Sequence, residues 1–492
     1  MSDTMPAPLL SKGPESPAIG TARMPAAAMA EVGLLRQGME AFACRVMAAR
    51  EAKQTLDLQY YSWRPDMTGS LLAREVLAAA DRGVSVRILL DDMYALGRER
   101  VLAAMESHPR IAVRLFNSTR WRLFGRAGLM LEILFGGWHL NRRMHNKAWI
   151  ADSRLAIVGG RNLGNEYFNA KSSEVTFRDL DLTLAGPPAG ATRGIFEQYW
   201  HSALSRPAGK ASATVAAPGA LDRLRQELER LSAQPDAQRY MTEMERTARQ
   251  ETACNSRLHL PARDVRVVAD PPAKARRRLI RRRRPGLNFV APAIANAIRG
   301  AKRELLLISP YFVPGRAAIA MLEGLVRRGV QLAVVTNSLA ATDVVAVHGG
   351  YSRYRRRLIR AGIRLYELKP SGDKAASILG SRGASLHTKA FMIDGERSFV
   401  GSFNFDPRSA GLNTEMGAFV ECPEVARQIG EEFNRLASPE ASWAVSLEGG
   451  KLTWRGQDEN GQALTLNHEP DASLRRRVLA GLVRWLPLES QL

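Results

Sequence analysis

Short apolar runs alternate with stretches of helical spacing along most of the chain. Apolar positions follow a helical period from 34 to 49, 56–62 reads as a strand, and 66–69 as a turn before a helix over 71–80. Apolar runs at 84–90 and 111–116 predict buried strands. The order returns later, with a helix at 291–300, a strand at 305–309, a helix at 317–328 and strands at 330–336 and 363–367. Strands alternating with helices predict an α/β sandwich in each half. The segmentation is a flexible leader at 1–33, a first domain at 34–200, a basic interdomain insertion at 201–288, a second domain at 289–440, and an extension at 441–492. The extension either packs on the core or faces a membrane.

Each half contains one copy of a longer pattern. The first reads HNKAWIADSRLAIVGGRN from His145 to Asn162, the second HTKAFMIDGERSFVGSFN from His387 to Asn404. Without a gap they share His, Lys, Asp, Gly and Asn at equal offsets, which marks an internal repeat. His and Lys two apart fall on one face of a strand. Closing the halves on each other predicts one site holding His145, His387, Lys147, Lys389, Asn162 and Asn404.

Lysines and asparagines offer positive charge and neutral donors, a poor setting for a metal and a good one for an anion such as a phosphodiester. One histidine can attack phosphorus while the other protonates the departing oxygen, and fixed cations stabilise the developing charge. No carboxylate or cysteine cluster resembles a metal site, so no metal or other cofactor is expected.

The paired motifs resemble those of the phospholipase D superfamily. Flanking words such as LQYYSWRPDMTG, GGRNLGNEYF, FRDLDLTLAG, TNSLAATDVVAVHGGYSRYR and GSFNFDPRS resemble its bacterial cardiolipin synthase branch, in the short form without transmembrane helices. The resemblance implies a phospholipase D-like fold of two pseudo-twofold related α/β sandwich domains with the active site between them. It implies a covalent phosphohistidine at His145, acid and base catalysis by His387, and phosphoryl binding by the lysines and asparagines. Asp179 and Glu415 match the acidic positions that orient a histidine. Asp152, Asp394, Gly159, Gly160, Gly401 and Ser402 support the motifs; Gly160 replaces the serine that the second copy keeps. Tyr61, His348 and Tyr351 are expected to contact substrate, although packing alone would also account for His348.

The implied reaction makes cardiolipin from phosphatidylglycerol and a second phospholipid, phosphatidylethanolamine being one choice. Hydrolysis to phosphatidic acid and nucleic-acid phosphodiester cleavage are the alternatives. The stretch 121–145 is too interrupted by charge to span a bilayer; it fits an interfacial segment, with Phe135 and Trp138 against acyl chains, or a core-packed helix beside the site.

Net charge is +21, with seven arginines and one lysine between 274 and 285. No aromatic platform is interleaved with that run, so an anionic membrane surface is favoured as partner and nucleic acid is not required. Three scattered cysteines, Cys44, Cys254 and Cys422, fit no disulfide pattern and make a reducing compartment the default. The expected location is therefore peripheral, on the cytoplasmic side of a bacterial inner membrane.

Overall fold

The structure, a computed structural model, describes residues 30–119, 121–134, 138–170, 176–212, 214–249, 260–276, 289–370, 384–458 and 460–485. In the first half the strands are β1 (Ala30–Leu35), β2 (Thr55–Tyr60), β3 (Ser85–Asp91), β4 (Ile111–Phe116), β5 (Ala148–Ala151), β6 (Leu155–Gly159), β7 (Thr176–Arg178), β8 (Asp181–Ala185), β9 (Ser205–Pro207) and β10 (Leu260–Ala262). In the second they are β11 (Asp264–Ala269), β12 (Glu304–Ile308), β13 (Gln331–Asn337), β14 (Arg364–Leu368), β15 (Ala384–Leu386), β16 (Ala390–Ile393), β17 (Arg397–Gly401), β18 (Met416–Glu421), β19 (Ser442–Glu448), β20 (Lys451–Gln457) and β21 (Ala463–Leu466).

One sheet runs β10-β1-β8-β6-β5-β2-β3-β4-β9 and the other β11-β18-β17-β16-β12-β13-β14-β19-β20-β21. In each, three parallel strands (β2-β3-β4 or β12-β13-β14) meet the antiparallel strands that carry the repeated motif. The period-two pattern of the motif explains the layering. In β5, Ala148 and Ile150 face a core shared by both sheets while Trp149 faces the outer helices. In β16, Ala390 and Met392 face the same shared core and Phe391 and Ile393 the outer one. The sheets thus pack face to face across one apolar layer, with the two outer cores on their far sides.

Several expected boundaries move. Residues 30–33 belong to β1, an inner strand between β10 and β8. The helical period expected from 34 begins only at Gly38 and ends at Glu51, because Val32 to Leu35 alternate against β8. The insertion divides between the halves. Its helices Ala220–Ser232 and Pro235–Arg249 bury Leu228, Tyr240 and Met244 in the first outer core, and β11 joins the second sheet. In the extension, β19 pairs with β14 and prolongs the second sheet. Buried Cys422 is a free thiol; Cys254 lies outside the described residues.

Candidate active site

Main-chain pairing across the seam brings the two motifs together. Parallel β15 and β7 match Leu386 with Arg178, and a parallel bridge matches Met144 with Thr414. In each case the residue before a motif histidine pairs with the residue before the other half's carboxylate. The His387 amide donates to the Arg178 carbonyl at 2.7 Å and the His145 amide to that of Thr414 at 2.8 Å. Both histidines lie in extended chain just ahead of their strands rather than within them.

The consequence is a crossed pair. His145 Nδ1 lies 2.9 Å from Glu415 Oε2 of the second half, and His387 Nδ1 lies 2.5 Å from Asp179 Oδ2 of the first. With each Nδ1–H assigned to a carboxylate by that geometry, each Nε2 is left for chemistry. Lys389 Nζ also approaches His387 Nδ1, at 2.8 Å. One nitrogen cannot donate to Asp179 and accept from an ammonium at once, so we assign its proton to the shorter contact with Asp179. Lys147 and Lys389 each donate to the carbonyl of their own motif histidine.

The Asn162 amide donates to the Tyr167 hydroxyl at 2.9 Å, and Asn404 Oδ1 is buried without a hydrogen-bond partner. That leaves the Asn404 amide, whose two ends are interchangeable by a flip, with capacity for a substrate atom.

Burial sets most of the electrostatics. It lowers the pKa of His145, with Glu415 opposing, and lowers that of His387 well below the usual imidazole value, reinforced by Lys389 and Lys147. It brings Lys389 down to about 8 and depresses Lys147 strongly. The two carboxylates diverge. Burial pushes Asp179 up, whereas in Glu415 burial is outweighed by His145, Lys147 and the Ser402 hydroxyl, and the net shift is downward.

The glycines mark close approaches. A Cβ at Gly160 would lie 2.3 Å from Asp179 Oδ1, and one at Gly159 2.2 Å from Asp181 Oδ1. At Gly401 it would lie 2.5 Å from the Met416 carbonyl oxygen. Ser402, the counterpart of Gly160, donates from Oγ to Glu415 Oε2 at 2.5 Å, and Ser409 donates to Oε1 at 2.9 Å. The motif aspartates are at the far end of the strands. Asp152 accepts from the amides of Lys53, Gln54 and Thr55, and Asp394 from those of Lys302, Arg303 and Glu304.

Other expected residues distribute unevenly. Tyr61 lies edge-on to His145, centroids 5.2 Å apart, with Lys147 Nζ 5.4 Å from its ring centre. Phe135 lies outside the described residues, as does the arginine run 281–284, and Trp138 opens the short helix Trp138–Asn141. His348 and Tyr351 correct the expectation of headgroup contacts, because their hydrogen bonds run into a buried network. The Tyr351 hydroxyl reaches Glu367 at 3.0 Å, and His348 Nε2 lies 2.8 Å from Arg355 Nη2. His348, Glu367 and Glu469 could in principle surround a cation. Arg355 already supplies that charge, 3.0 Å from Glu367 and 2.8 Å from Glu469.

Some contributors were invisible as motifs. Asp91 accepts from the Met144 amide at 2.9 Å, and Asn337 exchanges two 2.9 Å hydrogen bonds with the Leu386 main chain. Each ends the middle parallel strand of its sheet and holds the residue before a motif histidine; aligning the two halves strand by strand would have found them. Tyr167 and Phe177 flank His387 at 5.3 and 5.0 Å. Tyr311 donates to Asp343 at 2.7 Å, and the Asp343 charge acts on both His387 and Lys389.

Comparison with known proteins gives concordant results. Residues 46–187 and 294–437 match the sequence family described as cardiolipin synthase, PLD-like domain. The chain is 39% identical over 472 residues to cardiolipin synthase C of Escherichia coli K12, covering 92% of this chain and 94% of the relative. It is 27% identical over 402 residues to cardiolipin synthase A of Pseudomonas syringae, covering 80% of this chain and 65% of that one. Among solved structures, the phosphatidylserine synthase of Haemophilus influenzae Rd KW20 superposes with a TM-score of 0.60 at 13% identity, covering 94% of this chain and 97% of that one. At that identity the likeness speaks for the fold alone.

Proposed function

The chain belongs to the cardiolipin synthase PLD-like domain family, and from that premise we propose that it is a phosphatidyltransferase making cardiolipin from phosphatidylglycerol and a second phospholipid. The observation that carries this reading is the crossed pairing of His145 with Glu415 and of His387 with Asp179 beside two buried lysines. In the first step His145 Nε2 attacks phosphorus, the bond from phosphorus to the headgroup oxygen breaks, and His387 gives that oxygen its proton. In the second, the free hydroxyl of a phosphatidylglycerol gives its proton to His387 and attacks the phosphohistidine, releasing cardiolipin and His145. Lys147, Lys389, Asn162 and Asn404 hold the phosphoryl oxygens.

His145 is favoured as nucleophile on electrostatic grounds. A phosphohistidine that keeps its Nδ1 proton is cationic and needs an ionised partner for its whole lifetime. Glu415, with Ser402 and Ser409 donating to it, is the carboxylate held ionised. His387, its pKa strongly depressed, is built to release a proton rather than keep one. The anionic phosphodiester offsets the lysine charges that depress it, so the proton arrives with substrate.

Phosphatidylethanolamine serves equally as donor in this scheme, its ethanolamine leaving as the protonated alcohol. Among the described residues no helix is long and apolar enough to cross a membrane. The apolar residues Phe124, just before the helix Gly125–Leu134, and Met130, within it, are 68% and 63% exposed and fit an interfacial contact. We place the protein peripherally on the cytoplasmic face of the bacterial inner membrane. Protease protection in intact spheroplasts separates this face from the periplasmic one.

Expression in a host lacking cardiolipin, with phosphatidylglycerol and phosphatidylethanolamine varied, tests the reaction. Cardiolipin accumulation is expected. Phosphatidic acid as the main product would make the protein a hydrolase, and nucleic-acid cleavage without lipid turnover would overturn the lipid assignment.

A further inference from the structure

The helix Leu474–Trp485 has two apolar faces, one buried and one exposed among the described residues. Ala480 and Val483 are buried against the helix Val345–Arg360. Contact there is close enough that a Cβ at Gly349 would lie 2.8 Å from the Ala480 carbonyl oxygen. On the opposite face Leu474, Val478, Leu479 and Leu482 are 76%, 53%, 49% and 61% exposed. Among the described side chains of this face the one with charge is exposed Arg475; Arg476 and Arg477 turn inward to main-chain carbonyls. At 100° per residue these exposed positions make one continuous stripe.

The helix is also tied to the rim of the active site. Arg476 donates to the carbonyls of Leu339 and Thr342. Thr342 immediately precedes Asp343, whose charge acts on His387 and Lys389. A surface seated on the exposed stripe would therefore lie one loop away from the catalytic groups.

We propose that the exposed face of Leu474–Trp485 docks on an anionic phospholipid bilayer, inserting its aliphatic side chains below the headgroups and delivering lipid to the rim held by Arg476. Charge complementarity selects this occupant: Arg475 sits within the stripe and the chain carries a net charge of +21. A second protein copy would bring Arg475 and the same net positive charge against itself. The proposal rests on the lipid reading above but concerns binding, which is measured separately from turnover.

The test uses the full chain with Val478→Glu and Leu482→Glu, singly and together, and Leu482→Met as a conservative control. Binding is read by co-sedimentation with vesicles of equal parts phosphatidylglycerol and phosphatidylcholine, and with phosphatidylcholine alone. The double variant should lose at least about tenfold in affinity for the anionic vesicles. It should keep the thermal transition of the parent and its hydrolysis of a small soluble phosphodiester, and Leu482→Met should bind as the parent does. A Val478→Cys variant carrying an environment-sensitive fluorophore should shift to the blue on anionic vesicles. Unchanged binding in the double variant, or no spectral shift, would overturn the proposal. So would a concentration-dependent dimer, seen by light scattering, that the double variant abolishes while vesicle binding persists. Vesicle binding without lipid turnover in the parent would instead count against the proposed reaction and leave this surface standing.

Discussion

The two halves of the catalytic seam are built on one plan but support their carboxylates differently. Glu415 has a longer side chain, two serine hydroxyls and His145 as donors. Asp179 is shorter, has the Leu180 amide and His387, and occupies the space that a side chain at position 160 would need. Gly160 and Ser402 are therefore not interchangeable relics of a duplication. Each is matched to the carboxylate it faces, and the match leaves Glu415 held in its charged form while burial pushes Asp179 toward its neutral one. An identical pair of histidines thereby sits in unequal electrostatic surroundings.

The largest expected effect tests whether both halves are needed. His145→Ala and His387→Ala should each lower phosphatidyl transfer by at least about 10²-fold without loss of fold. Rapid quenching and mass spectrometry should place the phosphohistidine on His145. Label confined to His387 would reverse the roles, and near-normal turnover in either variant would end the two-histidine mechanism.

A transplant between halves comes next. Gly160→Ser forces a Cβ to within 2.3 Å of Asp179 Oδ1 and should cost about 10- to 100-fold in kcat/KM. Ser402→Gly removes one hydrogen bond to a carboxylate that keeps Ser409, and should cost about tenfold at most. Adding Asp179→Glu to Gly160→Ser rebuilds the arrangement of the other half and should recover part of the loss. Equal effects of the two single variants would show that the carboxylates are equivalent after all.

Much of this was legible because the repeat is written at the level of single residues. The residue count between His145 and Asn162 equals that between His387 and Asn404, and the apolar runs inside both copies marked buried strands. What stayed hidden depends on chain crossing. No periodicity tells that Asp179 reaches His387 and Glu415 reaches His145, since those partners are set by β7 pairing with β15 and by the Met144 bridge to Thr414. The three-residue spacing of His348 and Tyr351 fits the helix Val345–Arg360, yet spacing alone does not say which face meets substrate. Their face meets Arg355 and Glu367 instead. The start of the first domain was missed because a strand of six residues next to an Ala- and Pro-rich segment carries little signal of its own.

A smaller effect separates the halves by pH. Burial lowers Lys389 to about 8, and the charge of Asp179 is the foremost influence opposing that fall. Its cationic form is present below about 8 and lost above, so kcat, measured in the complex where His387 holds its proton, should decline on the alkaline side of that value. His145, the proposed nucleophile, behaves oppositely: burial lowers its pKa, so the acid limb should lie below the ordinary imidazole value of 6.5. Asp179→Asn should move the alkaline limb of the residual activity to lower pH, and Glu415→Gln should move it less. A common shift in both would remove the asymmetry.

The smallest effect on chemistry is expected where the halves agree most. Asp152 and Asp394 sit at φ of 52° and 58° in matching turns, and each carboxylate fastens three consecutive amides at the start of the neighbouring strand. Neither hydrogen-bonds a catalytic side chain among the described residues, so kcat/KM of Asp152→Ala and Asp394→Ala should stay within about twofold of the parent. Loss of the amide partners should cost about 1–3 kcal/mol of stability in each case. Burial alone would raise these carboxyls, but the three amides outweigh it and the folded-state pKa lies below the ordinary 3.8. The stabilisation is therefore present above that value and lost as pH falls through the folded pKa. Denaturation at neutral pH should show a gap between parent and variant that narrows on acidification. Equal gaps for Asp152 and Asp394 would mark these turns as the symmetric part of the repeat, while a loss of turnover larger than the loss of stability would give the motif aspartates a part in catalysis that this geometry withholds.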